Sequence, residues 1–297
     1  MYGYPRAKGG RLGGSLRHMA IFLALFSSLL WGSADFEGGR LAKGLPAIVV
    51  TGMSQAIGLF FGLMIVVSTG QWRAPAFGQG GYFLPAVIAG VTGYLGLVML
   101  YAGLASGRMG VVSPISSLCA IIPVTVALLS GEHLPYLKVI GIAVALIGAF
   151  CASGPEISQG LPLRPVLYAV GAAAGFGTAL VFMAKGSVSS ALMTMVTMRL
   201  TTFLISSSIA IKYRSVGGIK PSHFPQLIFI GIADFSANLL LGIASTRGLV
   251  SIVMVLGSLF PIMTALLAFK ILHERLHRVQ YVGIALAVVG VAIISGS

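Results

Sequence analysis

Residues 139–148 of the chain read VIGIAVALIG, and residues 281–290 read YVGIALAVVG. The two stretches keep their glycines in register, so that Gly148 aligns with Gly290 at an offset of 142 residues. Similarity at a fixed offset indicates two copies of one structural unit. The repeated stretch therefore predicts a chain built as two related halves.

The repeat extends outward from these stretches at the same offset. Glu132 aligns with Glu274, and the Ala-Lys-Gly at 42–44 aligns with the Ala-Lys-Gly at 184–186. These matches predict a first copy over residues 19–152 and a second over 165–297. A basic tail at 1–18 and a linker at 153–164 account for the rest.

The composition excludes a water-soluble domain. Of the 297 residues, 57% are hydrophobic and only 8% are charged, and the mean hydropathy is +1.00. Soluble domains carry about 25% charged residues. The 19 basic and 6 acidic residues give a net charge of +13, but no dense basic run with interleaved aromatics indicates a nucleic-acid partner. An integral membrane protein is predicted.

Apolar runs bounded by Gly, Pro and charges predict the transmembrane segments. A span needs about 20 mostly apolar residues, and runs this long cross a bilayer as helices. The ten runs cover residues 19–37, 46–68, 82–106, 109–130, 134–152, 165–184, 190–212, 224–246, 249–270 and 278–295. Five helices per copy is an odd number, so the second copy enters the membrane inverted, as in many secondary transporters. The predicted fold is all-α, with ten transmembrane helices in two inverted five-helix repeats.

Short motifs accompany the repeat at matching places. The first predicted helix carries Leu-Leu-Trp-Gly-Ser at 29–33, and the last two helices of each copy are joined through Gly-Glu at 131–132 or His-Glu-Arg-Leu at 273–276. Together with the ten spans, these motifs resemble the drug/metabolite transporter superfamily in its ten-helix form with two EamA-like units. The resemblance implies a carrier with cytoplasmic termini and a central cavity lined mainly by predicted helices 1, 3, 4, 6, 8 and 9. It does not specify the substrate.

Two charged residues lie deep in predicted spans: Arg199 and Asp234. A charge at mid-membrane is costly unless it is paired or hydrated, which makes both candidates for function. One interpretation is a structural ion pair between two helices. The other is a substrate site in which Arg199 holds an anionic group and Asp234 accepts a cation or a proton. Asn238 lies one turn from Asp234 on the same helix face.

Asp35 is the second candidate acid for substrate binding or proton coupling. It shares a helix face with Trp31 one turn earlier. An aromatic wall beside a negative group attracts an amine through cation–π and Coulomb interactions. The alternative is that Asp35 and the nearby Glu37 lie at the membrane boundary and are only hydrated.

Hydroxyl groups on three predicted helices complete the candidate substrate site. Tyr94 and Tyr101 lie on the third helix, while Ser116 and Ser258 lie on the fourth and ninth, which contain prolines. Proline frees a backbone carbonyl one turn earlier and can kink a helix toward a cavity. Ordinary helix packing is the alternative for each of these residues.

One stretch, residues 273–277, matches the H-E-x-x-H zinc protease signature. A catalytic zinc needs a third protein ligand, and no second histidine motif supplies one. The aligned stretch around Glu132 keeps the glutamate without the histidine pair. The match is therefore interpreted as incidental, and neither an enzyme nor a metal or other cofactor is predicted.

The predicted function is secondary transport of a small metabolite, such as an amino acid, an amine or a related polar solute, by export or exchange. A passive channel-like facilitator or an intramembrane enzyme is the alternative. The P-loop pattern of ATP-driven transporters does not occur in the sequence. Eight basic residues fall on one side of the membrane and ten on the other, so charge hardly orients the chain. Cytoplasmic termini, the plasma membrane, the lipid bilayer as surroundings, and a monomer or homodimer are expected.

Overall fold

The computed structural model describes residues 11–78, 80–105, 109–153, 163–213, 218–271 and 277–296. In these ranges every regular element is helical, which confirms the all-α prediction. The helices are α1 (Arg11–Leu41), α2 (Ala47–Thr69), α3 (Phe83–Ala105), α4 (Met109–Ser117), α5 (Ile121–Leu129), α6 (Tyr136–Ala152), α7 (Leu163–Tyr213), α8 (Phe224–Ser245), α9 (Val250–Gly257), α10 (Phe260–Ile271) and α11 (Arg278–Gly296). In a helix the backbone N–H and C=O groups bond to each other, which is necessary because the interior of a bilayer offers them no partners.

Eight helical stretches of the described chain are long and apolar enough to cross a membrane, counting α4 with α5 and α9 with α10 as one each. The chain is thus a multi-pass membrane protein. α6 is apolar but shorter, and α7 is a single stretch of 51 residues. Ten crossings require α6 and both halves of α7 to cross separately, and that number stays a prediction.

α7 joins the predicted sixth and seventh helices without an intervening loop. It bends at Ser190, whose backbone is extended, with φ −162° and ψ 110°. The Ser190 hydroxyl accepts a hydrogen bond from the backbone N–H of Met193 at 3.3 Å. A serine in this position caps the start of a helix. The second half of α7 therefore begins again at Ser190.

The predicted fourth and ninth helices are each broken near their middle. A 3₁₀ turn, Leu118–Ala120, separates α4 from α5, and α9 ends at Gly257 before α10 begins at Phe260. Pro114 lies inside α4, and Pro261 is the second residue of α10. Proline supplies no backbone N–H, so a continuous ladder of helical hydrogen bonds is not possible there.

The repeated glycine stretches form the contact between α6 and α11. A Cβ atom built on Gly148 would lie 2.8 Å from the carbonyl oxygen of Gly283, and one on Gly141 would lie 3.1 Å from that of Gly290. The backbones of the two copies meet at these glycines. Small residues permit this close approach between membrane helices.

The two copies interlock around a central space. α3 of the first copy packs along α7, where Gly96 lies against Gly175. α1 packs along α8 and α10, and the Ser27 hydroxyl donates to the carbonyl of Ala237 at 2.8 Å. Helices from both copies therefore surround the same interior. The predicted linker at 153–164 lies mostly outside the described residues.

Candidate functional site

A cavity lies inside the helix bundle, between the two copies. Its walls come from α1, α2, α3, α7, α8 and α10, with Cys119 of the 3₁₀ turn. The walls agree with the helices that the family resemblance implies and add α2 and the second half of α7. The polar lining side chains are Asp35, Gln55, Tyr94, Arg199, Thr202, Asp234 and Asn238, together with the Trp31 indole N–H.

The Asp234 carboxylate is the centre of a buried hydrogen-bond network. One oxygen accepts from Trp31 Nε1 at 3.0 Å and from Asn238 Nδ2 at 3.1 Å. The other accepts from Gln55 Nε2 at 2.8 Å and from the Arg199 guanidinium at 2.9 Å. Four donors on four helical segments thus stabilise this carboxylate, as a charge in low dielectric requires.

Arg199 is almost wholly buried, with 4% of its surface exposed. One terminal nitrogen donates to Gln55 Oε1 at 2.6 Å and the other pairs with Asp234. Its Nε atom has no hydrogen-bond partner among the described residues and faces α2 at Gly58, where a Cβ atom would lie 3.3 Å away. The ion pair of Arg199 and Asp234, one of the two interpretations of these charges, is present in the structure.

Trp31 is oriented by this network. Its indole N–H donates to Asp234, and its ring meets the Phe260 ring edge to face, with centroids 6.3 Å apart and planes at 81°. A hydrogen bond at one end and an aromatic contact along the ring restrict its rotation. The ring thus forms a fixed apolar wall of the cavity.

Asp35 lies on the same face of α1 and also lines the cavity. Only 9% of its surface is exposed, and it accepts no hydrogen bond from the residues that the structure describes. The Asp234 carboxylate, which carries a charge of the same sign, lies close enough to repel an ionised Asp35. Asp35 is therefore a lining carboxylate whose charge no described cation balances.

The two candidate tyrosines differ in position. Tyr94 lines the cavity, and its hydroxyl lies 3.0 Å from the hydroxyl of Ser206. Tyr101 is buried with 1% exposed and packs against Gly38 of α1. It does not belong to the cavity wall. The structure thus brings only the first tyrosine to the candidate site.

Ser116 and Ser258 also lie away from the cavity wall. Each donates its hydroxyl hydrogen to a carbonyl three residues earlier, Ser113 at 3.0 Å and Val255 at 2.8 Å. Serines that bond back along their own helix satisfy themselves locally. Their helices are broken as expected, but these hydroxyls do not face the cavity.

Gln55 was absent from the predicted site although it bonds to both charged members of the network. The available signal was a lone amide within the apolar run of α2, where an unsatisfied polar group is costly. Phe176 and Phe260 also line the cavity. Nothing in an apolar helix distinguishes such aromatics from those that face lipid.

Glu132 has a capping role outside the cavity. Its carboxylate accepts from the backbone N–H groups of Val250 at 3.0 Å and Ser251 at 3.2 Å, and from the Ser251 hydroxyl. These are the first residues of α9, whose N–H groups have no partner within the helix and whose dipole favours an anion. The repeated glutamate in the first copy thus stabilises a helix of the second copy.

The H-E-x-x-H stretch lies outside the described residues except for His277, whose backbone N–H donates to Gln280 Oε1 at 2.8 Å. In the parts of the chain that the structure does describe, no three His, Cys, Asp or Glu side chains are grouped as a metal site would require.

Comparison with known proteins identifies the fold and the family. No curated protein sequence matches the chain significantly. Among solved structures, 23 chains match. One of them, described only as a crystal structure of a protein, covers 94% of this chain and 97% of its own, with a TM-score of 0.73 and 19% identity. That similarity shows a shared fold.

The family assignment comes from the sequence. The model of the EamA-like transporter family matches twice, over residues 18–154 and 163–296, which together span most of the chain. This family consists of membrane transporters of small solutes. The chain belongs to the EamA-like transporter family.

Proposed function

We propose that this protein is a secondary transporter that moves a small metabolite, such as an amino acid or an amine, by alternating access. The cavity between the two copies carries the proposal. It places a free carboxylate and a buried ion pair inside an apolar bundle, at a cost of several kcal/mol per charge unless each is compensated. In membrane proteins such groups commonly mark the path of a solute.

Hydrogen bonds join the two copies at both ends of the bundle, and this arrangement fits alternating access. Glu132 of the first copy bonds to α9 of the second, and Arg73 donates to the carbonyl of Ser189 at 2.9 Å. At the opposite end, the Gln280 amide donates to the carbonyl of Ala152 at 3.3 Å. Breaking one set of contacts while keeping the other would expose the cavity to one side at a time.

The small size of the cavity also supports a movement of the two copies. Its volume is about 70 Å³, which holds only a few water molecules, since one water needs about 10–15 Å³ measured in this way. An aromatic amine or a large amino acid requires a wider space. Binding of such a substrate therefore requires the surrounding helices to separate.

Asp35 is the acid that we propose for proton coupling, in preference to Asp234. Asp234 is held by four donors, including the Arg199 cation, whereas Asp35 has no such partner among the described residues. Asp234 acts on Asp35 electrostatically, and Asp35 in turn acts on Tyr101 and Cys119. The described ion pairs do not include Asp35, so it is the more available site for a proton.

We further propose that the protein lies in the plasma membrane as an exporter or exchanger, with both termini in the cytoplasm. This orientation puts Ser130 inside and Lys220 outside, and both are exposed. In a background without Cys119 and Cys151, an impermeant maleimide added to cells should label Lys220→Cys but not Ser130→Cys. The opposite pattern would reverse the orientation.

Counterflow in reconstituted vesicles tests the transport function. Vesicles loaded with unlabelled solute should take up the labelled solute transiently against its gradient, because a carrier exchanges one molecule for another. The panel should include amino acids and permanently charged ammonium compounds, which do not leak through lipid. Passive equilibration without counterflow would indicate a channel-like facilitator, and no uptake of any solute would contradict the proposal for this panel.

A further inference from the structure

The charges that line the cavity do not balance. Three formally charged side chains line it within the described residues: Asp35, Arg199 and Asp234. Arg199 and Asp234 are 2.9 Å apart and neutralise each other. When Asp35 is ionised, its carboxylate leaves the cavity with one negative charge that no described cation pairs with.

Arg199 is poorly placed to bind an anionic group of a ligand. Each terminal nitrogen directs one N–H into the network, to Gln55 or to Asp234, and its Nε atom faces Gly58 on α2. A ligand carboxylate near Arg199 would also lie near the Asp234 carboxylate and would be repelled by it. The only cation lining the described cavity is thus already compensated.

The wall around Asp35 suits an apolar body attached to a cation. Trp31 lies one turn away on α1 with its ring held in place, and Phe260 meets it edge to face. Phe176, Met183 and Met198 continue the lining. Aromatic faces and a carboxylate together attract ammonium groups, while the apolar side chains accommodate hydrocarbon.

We propose that the substrate is an organic ammonium ion with an apolar body and no carboxylate, bound through its nitrogen to Asp35 and through its body to Trp31 and the neighbouring aromatic side chains. This inference rests on the proposed transport function and narrows its substrate class. It separates amines from the amino acids that differ from them by a single carboxylate. A zwitterion would bring a negative group into a cavity that offers no free positive partner.

Matched ligand pairs test this specificity. Phenethylamine and phenylalanine differ by a carboxylate, as do isoamylamine and leucine. The chain contains two tryptophans, and Trp72 is 64% exposed outside the helices. Trp72→Phe therefore leaves Trp31 as a single fluorescent reporter in the cavity wall. Titration of this variant in detergent should show saturable changes with each amine at a concentration at least tenfold lower than with its amino acid.

Two further variants in the Trp72→Phe background connect the binding to Asp35. Asp35→Asn should weaken amine binding at least tenfold, because it removes the one carboxylate of the described cavity lining that no cation pairs with. Glu37→Gln is the matched control, since Glu37 lies two residues away, pairs with Arg40 at 2.8 Å and does not line the cavity. It should bind amines as the parent does. Unchanged circular dichroism and melting temperature would show that Asp35→Asn remains folded. If it does not fold, Asp35→Glu, which keeps the charge, should retain amine preference.

Several outcomes would overturn the inference. Equal affinity for amine and amino acid would do so, as would amine binding that Asp35→Asn leaves unchanged or a panel in which no amine alters Trp31 fluorescence. If only the transport function is wrong, the outcome differs: amines would bind selectively, but the vesicles would show no counterflow. Counterflow of amino acids without amines would contradict the substrate class and leave transport intact.

Discussion

Asp234 is the residue on which the buried network depends. Its carboxylate joins α1, α2 and the second half of α7 to α8 through Trp31, Gln55 and Arg199. Breaking a buried pair by removing one partner typically costs about 3–5 kcal/mol, because the other charge remains without compensation. The remaining partners of Asp234 would lose their acceptor at the same time.

We expect Arg199→Ala and Asp234→Ala each to abolish transport and to lower the melting temperature of the purified protein. The double variant with two neutral residues should recover much of the lost stability, since no unpaired charge then remains. Arg40→Ala is the control, because it breaks an ion pair that is 38% exposed at the arginine. Such a surface pair contributes about 0–1 kcal/mol. A double variant that also transports would show that the pair is structural only.

The depth of Arg199 and Asp234 could be predicted because a charge interrupts an apolar run visibly. The positions of Ser116, Ser258 and Tyr101 outside the cavity wall were not predictable in the same way. A membrane helix is apolar toward lipid and toward its neighbours, so its sequence gives no amphipathic period from which to read the inward face. The depth of a residue in the membrane can therefore be predicted from sequence, but the face of the helix that points toward the cavity cannot.

At the scale of single elements, the repeated glycines are the clearest link between sequence and packing. The stretches that identify the repeat are the ones by which α6 and α11 touch, Gly148 against Gly283 and Gly141 against Gly290. The pairing is reciprocal, as expected for two copies related by inversion. A helix pair with this contact has no room for side chains at its closest points.

We expect Gly148→Ala to destabilise the protein by about 1–3 kcal/mol, the usual cost of overpacking. The added methyl would overlap the backbone of Ala287. Gly296→Ala is the matched control, since a Cβ atom there has no neighbour within 4 Å. Thermal unfolding in detergent should show a lower melting temperature for the first variant and little change for the second. Equal melting temperatures would contradict the close contact.

Glu132 shows how a loop of one copy fixes a helix of the other. Glu132→Ala removes the acceptor of the Val250 and Ser251 backbone N–H groups. Loss of a cap costs about 0.5–2 kcal/mol. Hydrogen exchange in peptides from the start of α9 should therefore become faster, and Glu132→Gln should have a smaller effect because it retains an acceptor. His133→Ala, at the exposed neighbouring position, should leave the exchange unchanged.

Element types were predictable throughout the described chain, but some element boundaries were not. The sequence predicts separate helices ending at 184 and starting at 190, whereas α7 continues to Ser190 before it bends. No proline marks the bend; Gly186 lies four residues before it, where a Cβ atom would come within 2.8 Å of the Thr194 hydroxyl, and the Ser190 hydroxyl caps the following turn. The breaks after α4 and α9, by contrast, lie near prolines, whose effect on a helix is local and readable.

At the scale of the whole molecule, the two copies share a helical fold but not the polar residues of the cavity. Asp35 aligns with Gly177 in the second copy at the offset of 142 residues, and α3, the helix of the first copy that corresponds to α8, contains no acidic residue. The network around Asp234 takes Trp31 and Gln55 from one copy and Arg199 and Asn238 from the other. Relative movement of the copies must therefore carry this network with it or rearrange it. The unpaired Asp35 remains the group most open to a change of partner.

Proton coupling through Asp35 has a defined consequence for transport. If a proton replaces the departing substrate on this carboxylate, acid outside a loaded vesicle should speed efflux, and alkali outside should slow it. A permanently charged trimethylammonium compound is the suitable solute, because a pH gradient cannot move it as a neutral amine. The experiment measures efflux with and without a proton ionophore, which should abolish the effect of the gradient.

Asp35→Asn should lose this response, because an amide of nearly the same shape cannot exchange a proton at neutral pH. Its efflux must be compared at a substrate concentration that fills the weakened site, so that reduced binding is not mistaken for lost coupling. Glu37→Gln should respond as the wild type does, since Glu37 is paired with Arg40 outside the cavity wall. An Asp35→Asn variant that still follows the gradient would exclude the role of Asp35 and leave Asp234 as the acid to test. A wild type that ignores the gradient would instead be an exchanger, driven only by the concentrations of its substrates on the two sides of the membrane.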